Sequence, residues 1–198
     1  MTIRTAPVAA TFLLAAVMTA QDRTAATECV IIHTSGDYTI PAGVLLSSRQ
    51  TTQRIFKRAG FRIVFTSSKV ELKRSKCIPI QVEFTAKEPA GNLAHSLAYA
   101  LPFQDGSTQI RVFLARVLRS PCAIECGIRL GYVLSHEIGH VLEGIDYHSE
   151  KGVMKTAWEK TDFAQMGRDE LAFHQDDVEL MHAGAAAKLR RSLEARTR

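Results

Sequence analysis

The sequence lacks any apolar run long enough to cross a lipid bilayer. A membrane-spanning helix needs about 20 consecutive apolar residues, whereas the uncharged apolar stretch at residues 7–20 has 14. A short, positively charged segment precedes this stretch, which is rich in Ala, Leu and Val. The combination is typical of a secretory signal peptide. We therefore expect residues 1–20 to be a signal peptide and residues 21–198 to form one domain, secreted or periplasmic. An N-terminal membrane anchor is the alternative.

Repeats and low-complexity linkers are also absent from the sequence. Hydrophobic residues make up 46% and charged residues 23%, the balance of an ordinary globular protein. A chain of 198 residues fits one compact domain. The net charge of +5 is spread along the chain, and only residues 188–198 are locally basic. No aromatic residue or nucleic-acid motif accompanies this segment, which favours a solvated helix end. We expect a monomer that does not bind nucleic acid.

Cysteine is scarce, and all four cysteines follow the predicted signal peptide: Cys29, Cys77, Cys122 and Cys126. An even number in an exported domain predicts two disulfide bonds. A four-thiolate zinc site would need two close pairs, whereas Cys29 and Cys77 are 48 residues apart. The spacing therefore disfavours a structural zinc site.

The hydrophobic periodicity predicts strands and helices along the whole domain. Strands are predicted at residues 30–32, 61–65 and 78–84, and further extended segments at 96–101 and 109–117. Helices are predicted at residues 41–59, at 128–143 and from about 175 onward. A strand, a helix, several strands and two helices indicate an α/β (α+β) domain. Its sheet should be mostly parallel and should begin with a strand–helix–strand unit.

The segment His136-Glu137-Ile138-Gly139-His140 carries the clearest chemistry. Residues four apart lie on one face of a helix, so both imidazoles can bind one zinc ion. Glu137 lies one position round the helix and can take a proton from a zinc-activated water. Two surface histidines on an amphipathic helix would be the alternative. The apolar residues on both sides of the segment argue against it, because they predict a buried helix.

A catalytic zinc ion usually has three protein ligands and one open position. Gly144 can end the helix in a left-handed conformation. The chain can then fold back and bring His148 to the metal, so we predict His148 as the third ligand. The alternatives along the chain are Asp146, Glu170, His174 and His182.

These residues resemble the signature of the metzincins, in which a His-Glu-x-x-His helix is followed by a glycine, a third histidine and a turn containing methionine. The resemblance implies a mostly parallel five-stranded sheet with an antiparallel edge strand, an active-site helix and a small C-terminal subdomain. It also implies one catalytic Zn²⁺ ion. The residues matched are His136, His140 and His148 as ligands, Glu137 as general base, Gly144 as the helix-ending glycine and Met154 as the turn methionine.

The resemblance also has implications beyond the zinc helix. In the metzincin sheet the first and third strands are parallel neighbours, which implies a Cys29–Cys77 bridge and leaves Cys122–Cys126 as a local one. Residues 93–101 resemble the edge strand that faces the metal, and His95 is interpreted as structural. Three residues stand on each side of Gly144 where metzincins usually have two. This spacing is similar to that of short exported bacterial metzincin-like proteins.

The activity expected from this resemblance is that of a zinc endopeptidase acting on a peptide or protein substrate, with Glu137 as its base. Two alternatives stay open at this point. One is an inactive zinc-binding interaction module that has kept only the fold. The other is a zinc amidase that acts on a non-protein amide, for example in cell-wall material.

Overall fold

The computed structural model describes residues 28–36, 39–87, 96–101, 109–118 and 124–196. The predicted signal peptide, His95 and Cys122 lie outside these ranges. Within them, every helix is too short or too polar to traverse a bilayer.

A twisted sheet forms one layer of the described domain. Its strands follow the order β2-β1-β3-β5-β4, in which β4 alone runs antiparallel to its neighbour. This arrangement confirms the predicted mostly parallel five-stranded sheet with an antiparallel edge strand. The strands are β1 (Glu28–Gly36), β2 (Phe61–Thr66), β3 (Ile78–Thr85), β4 (Ala98–Leu101) and β5 (Gln109–Phe113).

Helices cover the apolar face of this sheet. Strand β3 is an example of how the sheet packs on the helices. Every second side chain, at Ile78, Ile80 and Val82, points into the core, and the side chains between them point the other way. Side chains from four of the helices, α1, α3, α4 and α6, complete the same core. The helices are α1 (Ala42–Arg58), α2 (Lys69–Arg74), α3 (Leu114–Val117), α4 (Ile124–Glu143), α5 (Lys160–Gly167) and α6 (Gln175–Arg196).

Helix α4 is fixed by very close packing against α1. A Cβ atom built on Gly131 would lie 2.6 Å from Thr51 Cβ, so a larger residue would push the two helices apart. Thr52 Oγ1 donates a hydrogen bond to the Gly131 carbonyl over 3.2 Å. Since α4 carries the His-Glu-x-x-His segment, this contact holds the candidate site against the core.

Three local predictions were wrong or incomplete. The segment 109–117 was predicted as extended, but its second half forms α3, in which Leu114 and Val117 are both buried. Helix α4 begins at Ile124, four residues before the predicted start at 128. Gly127 lies in this added turn, where a Cβ atom on it would lie 2.5 Å from Ser47 Cβ, so packing requires glycine. Helices α2 and α5 were not predicted.

The disulfide Cys29–Cys77 is present, with its Cα atoms 4.6 Å apart. Val30 and Ile78 are partners in the parallel pairing of β1 with β3, which places the preceding cysteines side by side. The pairing implied by the family resemblance is therefore confirmed. Cys126 is also disulfide-bonded, whereas its predicted partner Cys122 lies outside the described residues. Disulfides are compatible with an exported protein.

Candidate metal centre

Three histidines converge near the C-terminal end of α4. His136 and His140 lie one helical turn apart, and their Nε2 atoms are 3.1 Å from each other. The ring of His148 lies 5.2 Å from that of His136 and 4.7 Å from that of His140. The nitrogens that the three rings offer all lie within 4.8 Å of one another. A tetrahedral zinc ion with Zn–N bonds of about 2.0–2.1 Å holds its nitrogens about 3.3 Å apart, so the cluster fits this ion.

Gly144 allows the chain to return to the cluster. Its φ of +74° lies in the left-handed region, where a side chain would be strained. Its N–H donates to the His140 carbonyl over 2.9 Å, which closes the last turn of α4. The next residues lead to His148, so Gly144 occupies the predicted place at the helix end.

The imidazole of His136 is oriented by a backbone carbonyl. Its Nδ1 donates to the oxygen of Val153 over 2.9 Å. The proton on Nδ1 leaves the lone pair of Nε2 free to bind a metal. Val153 had not been predicted as part of the site, because it lies 17 residues after His136 and beyond the end of α4.

Met154 follows Val153 and packs against α4 at Gly139. The side chain is fully buried. A Cβ atom built on Gly139 would lie 2.5 Å from Met154 Sδ, so the thioether occupies the space that a side chain at Gly139 would need. Trp158 forms a further wall, with its ring 5.8 Å from that of His136 at an interplanar angle of 87°. The sequence alone did not predict that Trp158 would contact His136; only its large aromatic side chain suggested a buried position.

Burial keeps the histidines of the helix neutral. It lowers the pKa of His136 to about 4, and neighbouring His140 and His148 act in the same direction. Burial also lowers the pKa of His140, again with a contribution from His148. A neutral imidazole is the form that binds a metal, so His136 and His140 are in the metal-binding form at neutral pH.

Glu137 lies on α4 between the two helical histidines and is 7% exposed. Burial raises the pKa of its carboxyl group to about 8, and the charge of Asp146 acts in the same direction. A nearby cation favours the ionised form of a carboxyl group. The same residue can therefore hold a proton or release it, depending on the charge beside it.

The other candidate ligands lie elsewhere or have other partners. Glu170 pairs with Arg168 at 2.8 Å and is exposed. His182 bonds to Glu28 at 2.6 Å and to the Ala59 carbonyl at 3.0 Å. His174 lies 3.5 Å from Asp176. In the described part of the chain, His136, His140 and His148 form the only group of three potential ligands close enough to share one ion.

The fold has a counterpart among solved structures. No protein-family model matches the sequence, and no curated protein matches it either. The crystal structure of archaemetzincin from Methanopyrus kandleri matches with a TM-score of 0.55 and 18% sequence identity. The match covers 81% of this chain and 97% of that chain. At this identity the similarity shows that the chain shares the archaemetzincin fold, and the chemistry has to be argued from the site.

Proposed function

We propose that this protein is an exported, single-domain zinc endopeptidase of the metzincin type. The observation that carries the proposal is the convergence of His136, His140 and His148, with the Nε2 atoms of the first two 3.1 Å apart. Three imidazole ligands with a carboxyl group beside them are characteristic of a catalytic zinc site, which keeps one position open. A site that only stabilised the fold would have no use for the buried carboxylate of Glu137.

The proposed chemistry divides between the metal and the chain. Zinc, when bound, supplies a coordinated water with a pKa near 7 and polarises the carbonyl group that is attacked. Glu137 accepts the proton released as the peptide carbonyl is attacked and then gives it to the departing amine. His136 keeps its orientation throughout because Nδ1 is bonded to the Val153 carbonyl.

Strand β4 supports a peptide as the substrate. It forms the edge of the described sheet, and α4 packs against it. Phe113 N–H donates to the Leu97 carbonyl over 2.9 Å, and Ala98 is the register partner of Val112. Hydrogen-bonded and non-hydrogen-bonded pairs alternate in antiparallel strands. The backbone groups of Ala98 and Ala100 therefore point away from β5, where an extended peptide can pair with them.

Zinc content and peptide cleavage test the proposal together. The exported protein should contain about one zinc per chain and should cleave members of a diverse peptide library, and a chelator should abolish cleavage. Glu137→Gln should keep the zinc and lose cleavage, because Glu137 moves the proton and is not a ligand. Glu150→Gln, at an exposed position two residues after His148, should retain both properties.

Three outcomes would contradict the proposal in different ways. A protein that binds no zinc would refute the metal site. Zinc binding without cleavage of any peptide would favour an interaction module or an amidase with a non-protein substrate. Cleavage by Glu137→Gln at the parent rate would show that Glu137 is not the base.

A further inference from the structure

The third histidine is held differently from the first. His136 has a direct hydrogen bond to Val153. Among the described residues, by contrast, the structure records no hydrogen bond to either ring nitrogen of His148. His148 also lies outside a helix and is partly exposed. A metal ligand usually needs a neighbouring group that fixes its orientation, so the position of His148 must be set by the chain beside it.

Ser149, the next residue, is anchored at two points. Its backbone N–H donates to the Met154 carbonyl over 3.1 Å, which closes the loop between His148 and the buried methionine. Its hydroxyl group donates to Asp177 Oδ1. Both partners of this second bond are buried, Ser149 with 9% and Asp177 with 0% exposure. The bond is therefore shielded from competition by water.

Asp177 is fixed to the start of α6. Its Oδ2 accepts a hydrogen bond from His174 N–H over 3.1 Å, as the third residue of a helix does in a capping box. Capping needs one carboxylate oxygen, and the other bonds to Ser149. A buried carboxylate is costly unless it is hydrogen-bonded, so both bonds contribute to keeping Asp177 inside the protein.

Helix α6 is in turn locked to the helix that carries the other two histidines. A Cβ atom built on Gly184 would lie 1.9 Å from the Leu142 carbonyl oxygen, so α6 touches the last turn of α4 at the backbone. Helix α4 thus contacts α6, and α6 carries Asp177, which bonds to Ser149. Ser149 directly follows His148 in the sequence.

We propose that Asp177 is a positioning residue for the metal centre, which acts through the Ser149 hydroxyl to hold His148 where His136 and His140 converge. The inference rests on the proposed zinc site. It concerns the segment from His140 to His148, in which three residues separate Gly144 from the histidine on either side. His148 itself does not lie in a helix. The Asp177–Ser149 bond supplies the constraint that a regular helix gives to the other two ligands.

The test compares zinc affinity, measured by competition with a chromophoric chelator, in four variants. Ser149→Ala should weaken zinc binding by about 10-fold or more, and Ser149→Thr, which keeps the hydroxyl group, should restore most of the affinity. Asp177→Asn should weaken it similarly. The effects of Ser149→Ala and Asp177→Asn should not add, because they break the same bond. Asp176→Asn is the matched control, at the exposed neighbouring position.

Cobalt substitution gives a readout that a purely structural role would not move. The visible absorption of bound Co²⁺ reports ligand geometry, so Ser149→Ala should shift it while Asp176→Asn should leave it unchanged. Unfolding of the zinc-free variants is measured alongside. If Asp177→Asn does not fold, Ser149→Ala alone decides the question.

Parent-like zinc affinity and cobalt absorption in Ser149→Ala would overturn the inference and leave the proposed zinc site standing. The inference would also be overturned if the losses of zinc affinity in Ser149→Ala and Asp177→Asn were additive and followed only the stability of the zinc-free proteins. A parent protein that binds neither metal would instead refute the proposed function on which the inference depends.

Discussion

At the scale of single residues, the choice of the third ligand distinguishes between classes of His-Glu-x-x-His protein. His148 meets His136 and His140, whereas Glu170 is paired with Arg168 on the surface. We predict that His148→Ala lowers zinc affinity by orders of magnitude and removes activity. Glu170→Ala should leave zinc content at the parent value. Titration with a competing chelator measures both. Zinc loss with Glu170→Ala and retention with His148→Ala would contradict the ligand assignment.

Glu143 makes stability depend on pH. Its carboxyl group is 8% exposed, and neither oxygen has a hydrogen-bond partner among the described residues. Burial raises its pKa to about 8, and the charge of Asp177 acts in the same direction. The ordinary value, 4.5, applies to the unfolded chain. Between these values the folded protein holds a proton that the unfolded chain has released. The contribution of Glu143 to stability is therefore complete below about pH 4.5 and is lost as pH rises toward 8.

The neutral isostere Glu143→Gln should remove this dependence. We predict that the variant gains stability over the parent as pH rises from 5 to 8, by about 1–3 kcal/mol at pH 8, the scale of an unsatisfied buried group. Urea unfolding of the zinc-free proteins at both pH values measures the difference. Glu150→Gln, at an exposed position, should show no such trend. A constant difference between Glu143→Gln and the parent would contradict the prediction.

Residues of the site were predictable where one helix sets their geometry. His136 and His140 follow from a spacing of four, and Gly144 from the need for a left-handed residue at the helix end. Val153 and Asp177 could not be predicted as partners of the site. Their contacts span 17 and 28 residues and depend on how separate segments pack. Neither contact leaves a periodic pattern in the sequence.

At the scale of elements, a substitution in β4 can test substrate binding without changing the metal ligands. The backbone N–H of Ala100 points away from β5, by the alternation of the antiparallel ladder. Ala100→Pro removes this donor without removing a bond to β5. We predict a higher KM for a long peptide with unchanged zinc content.

Two further variants control for this change. Ala100→Val retains the N–H and should keep a KM close to that of the parent. Tyr99→Pro removes a donor that faces β5 and should destabilise the strand itself. An unchanged KM in Ala100→Pro would show that the edge strand does not pair with substrate.

The elements themselves were predictable where hydrophobic periodicity persists over many residues. Strand β3 alternates over its length and α1 keeps its helical spacing, so both were found near their actual bounds. The short helices α2 and α5 depend on local capping instead, through Ser68 Oγ with Glu71 N–H at 3.2 Å and Asp162 with Glu159 N–H at 2.8 Å. Helix α3 replaced a predicted strand because Leu114 and Val117, three residues apart and both buried, lie on one face of a helix but would point to opposite faces of a strand.

At the scale of the whole molecule, the Cys29–Cys77 bridge and the metal centre should contribute independently to stability. The bridge joins β1 to the start of β3, across 48 residues of sequence. The bridge lowers the conformational entropy of the unfolded chain. Zinc instead stabilises the folded state, by an amount that depends on the zinc concentration relative to its Kd. Neither cysteine belongs to the histidine cluster.

We predict that replacing both cysteines by alanine lowers the free energy of unfolding by about 2–4 kcal/mol. Zinc affinity, measured under folding conditions, should stay at the parent value. The stabilisation produced by zinc should also be the same in the variant and the parent, because the two effects act on different states of the chain. Urea unfolding of both proteins, with zinc and with chelator, measures all four combinations. A variant whose zinc affinity falls as much as its stability would show instead that the bridge shapes the metal centre, through the sheet against which α4 packs.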